Sequence, residues 1–219
     1  KAAASMVKAV ENECKKFLKV FSKDIITMKP EEAEITKLFL NSYRYIQFSI
    51  ANQFYKIADS ANLNYQKINH AMKHKYKRGN IPSPGFTAGP CLFKDTMQLK
   101  AFSNHNFSLG MEAMTTNEGL VNYLVDKIKK ENNLSNKIVG ILGMSFKAES
   151  DDIRNSLSYK LKKVLSLHSK TVLTTDPYVK NDKSIQSLKK DMSTLRTGRA
   201  NPNMLDTIKI DVYGQFMPI

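Results

Sequence analysis

Pro30-Glu-Glu-Ala-Glu-Ile-Thr-Lys-Leu-Phe-Leu-Asn-Ser-Tyr-Arg44 opens a stretch that runs to about Ser60 without a glycine or a second proline. Proline loses no hydrogen bond in a first helical turn, and carboxylates there favour the positive end of the helix dipole. The stretch therefore predicts one helix of about 30 residues, far above the mean of about 11–12 for soluble proteins, and a helix of that length commonly forms a spine or an interface. Lys37, Asn41 and Arg44 fall at i, i+4 and i+7 and make one polar stripe beside Leu38, Phe39, Ile46 and Ile50. Facing a pocket, that stripe supplies a cation and an amide suited to a developing oxyanion. Facing solvent, it is an ordinary hydrated face.

Before this helix, Met6, Val7, Val10, Cys14, Phe17, Leu18 and Phe21 recur at three- and four-residue steps and predict an amphipathic helix over 2–21. After it, a helix near Tyr65 to Lys75 gives way to Arg78-Gly-Asn-Ile-Pro-Ser-Pro-Gly-Phe-Thr-Ala-Gly-Pro90, a shaped loop that holds six of the sixteen Gly and Pro residues. Helical pattern resumes from Cys91 to about Phe102 and from Ser108 to Lys130, and Glu131 to Asn136 reads as a linker. The texture then changes: a buried strand from Ile138 to Met144, a helix from Asn155 to His168 and a strand from Thr171 to Thr175 alternate as in a βαβ unit. A charged helix over 182–199, a break at Asn201-Pro202 and a strand over 207–213 complete the chain.

Composition narrows the chemistry. The 219 residues carry 34 Lys+Arg against 20 Asp+Glu, and a net charge of +14 makes a polyanionic ligand worth testing. The longest nearly apolar run, Ile138 to Phe146, is far short of the roughly 20 residues that cross a bilayer, so no membrane segment is expected. Two cysteines give no disulfide framework and fit a reducing, cytoplasmic setting. No metal site is expected, because His70 and His74 share a helical face without a carboxylate or thiolate to complete a set. Cys91 stands out. Pro90 before it suits a helix start, the free backbone donors of a first turn stabilise a thiolate, and Lys94 adds to this. Asp95, four residues on, shares its face and could hold a proton or a water. On composition alone, a lone cysteine is more often a small buried apolar side chain. In the α/β portion, Gly140 and Gly143 lead into Lys147, an acidic turn and Arg154, cations at the mouth of a unit that commonly binds phosphate, although the glycines do not complete G-x-G-x-x-G.

Three ordered motifs resemble the UDP-glucose/GDP-mannose dehydrogenase family, the nucleotide-sugar 6-dehydrogenases. Glu32 to Arg44 resembles the A-E-x-x-K-x-x-x-N-x-x-R start of its central helix, and Pro84-Gly-Phe-Thr-Ala-Gly-Pro-Cys-Leu-Phe-Lys-Asp95 its glycine-rich loop and cysteine. Gly140 to Ser156, with Thr175-Asp-Pro-Tyr-Val179, resembles the opening of its UDP-binding domain. The resemblance implies oxidation of a sugar 6-hydroxyl to a carboxylate in two hydride transfers to NAD, through a cysteine thioester. It makes Cys91 the nucleophile, Lys37 and Asn41 the oxyanion and substrate stabilisers, and Asp95 the partner in water activation. It places Arg78, Gly85, Gly89 and Lys147 against a UDP-sugar, and Lys94 and Arg154 toward the cofactor. Phe86-Thr87-Ala88 stands where many members are richer in glycine.

The implied architecture is mainly α with a partial α/β portion. Residues 1–29 would be the end of an NAD-binding domain and 30–131 a helical central and dimerisation domain, paired through the long helix. Residues 132–180 would be the first part of a Rossmann-like UDP-binding domain, and 182–219 a helix-strand tail. With only what looks like the last helix of the NAD-binding domain, the chain alone is expected not to oxidise UDP-sugars. The tail resembles a different family: Leu195-Arg-Thr-Gly-Arg-Ala-Asn-Pro202 is similar to the N-terminal part of ribosome recycling factor. That resemblance implies a ribosome or rRNA contact, with Lys189, Arg196 and Arg199 on one face, and makes a ribosome-binding module the alternative reading.

Overall fold

A computed structural model describes residues 2–179, 209–212 and 215–218, with side chains described over 8–76 and 78–179. Residues 1–37 and 38–219 form two compact units. In the first lies α1 (Ala2–Leu18), whose Lys15 and Lys16 pair with Glu11 and Glu13 at 2.7 Å. Its apolar positions Val10 and Phe17 are exposed, and Phe17 meets Phe21 edge-on at 5.4 Å. The long helix α2 (Pro30–Ser60) starts at the predicted proline. Glu32 Oε2 accepts from the Lys29 N–H at 2.9 Å and so satisfies one of the amides that a helix start leaves without a partner.

In the second unit α2 is followed by α3 (Tyr65–Lys73), capped by Asn64, whose side chain accepts from the Lys67 N–H. A short 3-10 turn (Lys77–Gly79) leads into the loop that ends at Cys91, and then come α4 (Leu92–Phe102) and α5 (Ser108–Glu131). The parallel pair β1 (Ile138–Leu142) and β2 (Thr171–Thr175) is joined by α6 (Leu157–Ser166), with Ile138 beside Thr171 and Leu142 beside Thr175. Ser156 caps α6 by accepting from the Ser158 N–H. The α-helices and strands agree with the sequence reading to within a few residues, the usual uncertainty at helix ends, whereas the 3-10 turn falls where a loop was expected.

One apolar core among the described residues crosses the expected domain border. Leu120, Val121, Leu124, Val125 and Ile128 of α5 are buried with Val139 and Ile141 of β1 and Leu157, Leu161 and Leu165 of α6. The stretch read as a linker contributes Leu134, which is 3% exposed, to the same core. Glu131 to Asn136 is thus a short packed connection, because an apolar side chain in its middle is buried rather than solvated. Lys160 Nζ reaches the Glu118 carboxylate at 3.1 Å and further ties α6 to α5. Near the C-terminus, β3 (Lys209–Val212) pairs antiparallel with β4 (Gln215–Pro218). The expected strand over 207–213 corresponds to β3, whereas β4 was not anticipated. The expected helix over 182–199 lies outside the described residues.

Candidate active site

Cys91 occupies the cap position of α4, exposed, at the edge of a cavity of about 440 Å3. Asn41, Arg44 and Phe48 line that cavity from α2, Phe86 to Leu92 from the loop and the start of α4, and Phe146, Lys147, Asp152 and Arg154 from the turn after β1. Asn41, Arg44 and Phe48 stand at i, i+3 and i+7, so one face of α2 supplies the wall. Cys91 and the α/β cations, 56 residues apart (147 − 91) in the sequence, come together here.

The loop reaches this place through close contacts. Gly89 has φ +105°, a conformation that side-chain-bearing residues rarely adopt. A Cβ there would lie 2.8 Å from two carbons of the Phe146 ring, so only a hydrogen fits between backbone and ring. Phe146 is placed in turn by Asp176, which follows β2. Asp176 Oδ2 accepts from the Met144 and Ser145 N–H groups at 2.7 and 3.0 Å, and Oδ1 from those of Tyr178 and Val179 at 2.8 and 3.2 Å. Phe146 N–H donates to the Asp152 carbonyl at 3.0 Å. One carboxylate therefore joins the ends of both strands and fixes the turn that presents Phe146 and Lys147.

Asp95 is 2% exposed and is not part of the cavity lining. Its Oδ2 accepts from Asn41 Nδ2 at 2.6 Å, and its Oδ1 lies 3.3 Å from Lys94 Nζ. Burying a carboxylate is costly unless hydrogen bonds and charge compensate it, and Asn41 and Lys94 supply both. Arg154 forms a forked pair with Asp152, with contacts of 2.6, 2.9 and 3.1 Å. The Arg154 guanidinium holds the Asp152 carboxyl down at about 2. Of the three cavity cations, then, Arg154 is matched by a carboxylate, whereas Arg44 and Lys147 bring the excess positive charge.

The residues expected from the sequence divide into groups. Asn41, Gly89, Cys91, Lys147 and Arg154 line the one cavity. Asp95 and Lys94 stand behind it, Asp95 through its bond to Asn41. Gly85 is buried beneath the loop, its N–H and C=O bound to Asn52 at 2.7 and 3.0 Å. Arg78 lies exposed in the 3-10 turn. Lys37 is exposed on α2 within the first unit. Sequence reasoning missed Phe48, although its helical spacing from Asn41 and Arg44 carried the signal, and it missed Asn52, whose partner is 33 residues away. For NAD, the described residues offer no glycine-rich turn from a strand directly into a helix, and Lys94 and Arg154 are both paired with carboxylates. They do not by themselves fit a dinucleotide.

Comparison with known proteins bears on the same segments. The central-domain model of the UDP-glucose/GDP-mannose dehydrogenase family matches residues 31–119, and its UDP-binding-domain model matches 140–207. The second match runs past residue 180 into the tail, and no described residue supports the ribosome-recycling reading of that tail. A UDP-N-acetyl-D-mannosamine dehydrogenase of Pyrococcus horikoshii is 33% identical over 155 residues, which are 68% of this chain and 37% of that protein. A UDP-glucose 6-dehydrogenase of Campylobacter jejuni is 34% identical over 178 residues, 76% of this chain and 44% of that one. The solved structure of UDP-D-ManNAc dehydrogenase from Pyrococcus horikoshii superposes with a TM-score of 0.71 at 30% identity, covering 81% of this chain and 44% of that one. The chain thus spans about two-fifths of the length of these relatives. With both segments matched in order, and with the cysteine loop and the strand-turn cations meeting at one cavity, the chain belongs to the UDP-glucose/GDP-mannose dehydrogenase family.

Proposed function

We propose that this chain carries the thiol and the UDP-binding surface of an NAD-dependent nucleotide-sugar 6-dehydrogenase. The observation that carries the reading is Cys91 at the N-terminus of α4, opening on a cavity whose other walls hold Arg44 and Lys147. A helix start favours negative charge, which suits both a thiolate and an oxyanion formed beside it. In this reading Cys91 Sγ adds to the aldehyde carbon at C6 and the thiol proton passes to the carbonyl oxygen; NAD, when bound, would accept the C6 hydride, and water then opens the resulting thioester to the carboxylate and returns the thiol. Asn41 stabilises the oxygen that becomes negative, while Asp95 keeps Asn41 in register and holds a carboxylate close to where the water enters. Arg44 and Lys147 take the diphosphate, and the Gly85 to Gly89 loop lies along the sugar. Lys37 remains assigned to the oxyanion, Arg78 to the sugar nucleotide, and Lys94 and Arg154 to the cofactor, by family resemblance alone. No step is assigned to a dinucleotide held by the residues described above.

Relatives named for UDP-N-acetyl-D-mannosamine and for UDP-glucose are 33% and 34% identical. Identity therefore does not choose the sugar, and the shared uridine diphosphate is the ligand proposed. The test is alkylation of Cys91 by iodoacetamide, resolved from Cys14 by peptide mass spectrometry, with and without UDP-glucose or UDP-N-acetylmannosamine. Protection by either, abolished by Lys147→Ala, supports the reading. An unchanged rate with both at millimolar concentration overturns it. Purified alone with UDP-sugar and NAD, the chain is expected to yield no NADH.

Homodimer formation through α2 is part of the same proposal. Tyr43, Ile50, Phe54 and Ile57 of α2 make an exposed apolar stripe at helical spacing, a face of the kind that usually marks an interaction site. Light scattering should give twice the chain mass, reduced to one by Ile57→Lys.

A further inference from the structure

Asn52 and Asn117 are both 0% exposed and sit outside the cavity lining. Asn52 Oδ1 accepts from the Gly85 N–H at 2.7 Å, and Asn52 Nδ2 donates to the Gly85 carbonyl at 3.0 Å. The side-chain amide thus binds Gly85 as a neighbouring strand would, through both backbone groups. Nδ2 also donates to Asn117 Oδ1 at 2.9 Å, and Asn117 Nδ2 donates to the Tyr45 carbonyl at 3.1 Å. Buried amides are tolerated when bonded in this way, and each such bond fixes an orientation.

The position of this bridge gives it a consequence for the thiol. Gly85 precedes Cys91 within the loop, Asp95 lies in the first turns of α4, and Cys91 falls between them. Gly85 is bound to α2 by Asn52, and Asp95 is bound to α2 by Asn41 at 2.6 Å. Asn41 and Asn52 are 11 residues apart (52 − 41) on one helix, hence about 16 Å along its axis. The segment bearing the thiol is thus attached at both ends to a single rigid element, and one of the attachments is the polar residue assigned to the oxyanion.

We propose that Asn52 is a positioning residue for Cys91: its bridge to Gly85 holds the loop on α2, so that thiol and Asn41 share one frame. The inference rests on the proposed function for the meaning of that frame, and not for the geometry.

The test uses the full chain with Cys14→Ser and a trifluoromethyl ketone label on Cys91, read by fluorine NMR. Asn52→Asp removes both Nδ2 donors and so loses the bond to the Gly85 carbonyl. Asn117→Asp buries a carboxylate beside it yet leaves the acceptor that Asn52 uses and the Gly85 bridge itself. Both variants are expected to lower the melting temperature. Compared where both are folded, Asn117→Asp should keep the single resonance of the parent, while Asn52→Asp should split or broaden it at least twofold. A single resonance of parental width in Asn52→Asp overturns the proposal, as does equal broadening in both variants. If Asn52→Asp fails to fold, hydrogen exchange of the unsubstituted chain decides. The Gly85 amide should exchange at least a hundredfold slower than an unstructured glycine, and exchange at the unstructured rate overturns the proposal. Failure of the parent to bind UDP would count against the functional reading while leaving the fluorine result to judge the positioning.

Discussion

Gly89→Ala should cost this chain about 3 kcal/mol, from two sources that can be measured separately. The first is the backbone: φ of +105° is outside the conformations open to alanine, and holding a residue in such a region costs about 1–3 kcal/mol. The second is the ring. The new Cβ would stand 2.8 Å from Phe146 Cδ2 and Cε2, whereas carbon pairs rest at about 3.5–4.0 Å, so the ring must retreat by about 1 Å. Forcing such a shift in a packed site costs about 1–3 kcal/mol. For a chain of this size the total corresponds to a melting temperature lower by roughly 6–12 °C. Phe146→Leu in the Gly89→Ala background relieves the clash but not the backbone strain, so the pair should show a coupling of about 1–2 kcal/mol in a double-mutant cycle. Chemical denaturation of the four proteins supplies the numbers. A Gly89→Ala cost under about 1 kcal/mol, or additivity within about 0.5 kcal/mol, would refute the close approach of the turn after β1 to the cysteine loop.

Other outcomes follow from the same geometry. Asn41→Ala leaves the buried Asp95 carboxylate without its 2.6 Å donor and should destabilise by about 2 kcal/mol in denaturant melts, with Asn41→Ser intermediate. The Asp152 carboxyl should titrate near 2 by carbon NMR and move toward the ordinary carboxylate range in Arg154→Gln. Because its folded pKa is depressed, any stability it contributes is present above the unfolded value and is lost as pH falls toward 2, with no change across pH 5–8. Tyr123→Phe deletes a 2.5 Å bond to Asp59 Oδ2, leaving Lys127 on Oδ1 at 2.7 Å, and should cost about 1 kcal/mol by thermal melting.

The contrast between what was legible in the sequence and what was not has a physical pattern. Helices and strands announce themselves locally: Pro30 with its carboxylates marks the start of α2, and the apolar run from Ile138 and the mostly β-branched run Thr171 to Thr175 mark β1 and β2. Cys91 was readable because a proline before a helix start constrains only its neighbours. What escaped are bonds between elements far apart in sequence. Asn52 to Gly85, Asn52 to Asn117 and Asp59 to Tyr123 span 33, 65 and 64 residues, and a single amide or carboxylate leaves no periodicity behind. Asp95 illustrates the difference. Its place on the face of Cys91 followed from helical spacing, whereas its bond to Asn41 needed the packing of α4 against α2.

The first family match ends at residue 119 and the second begins at 140, and the interval between them contains seven of the twelve buried residues of the core that crosses the expected domain border. Leu120, Val121, Leu124, Val125, Ile128, Leu134 and Val139 all fall within it. As a unit of inheritance, the βαβ portion is therefore larger than its match. Moved by recombination without the last half of α5, it would lose the helix that packs against α6, where Leu157, Leu161 and Leu165 are 4%, 3% and 0% exposed here, and would have to acquire a new helix to complete that core. Gene exchange that breaks within α5 should be selected against, while exchange before about residue 108 carries α5 along with the helix it packs against.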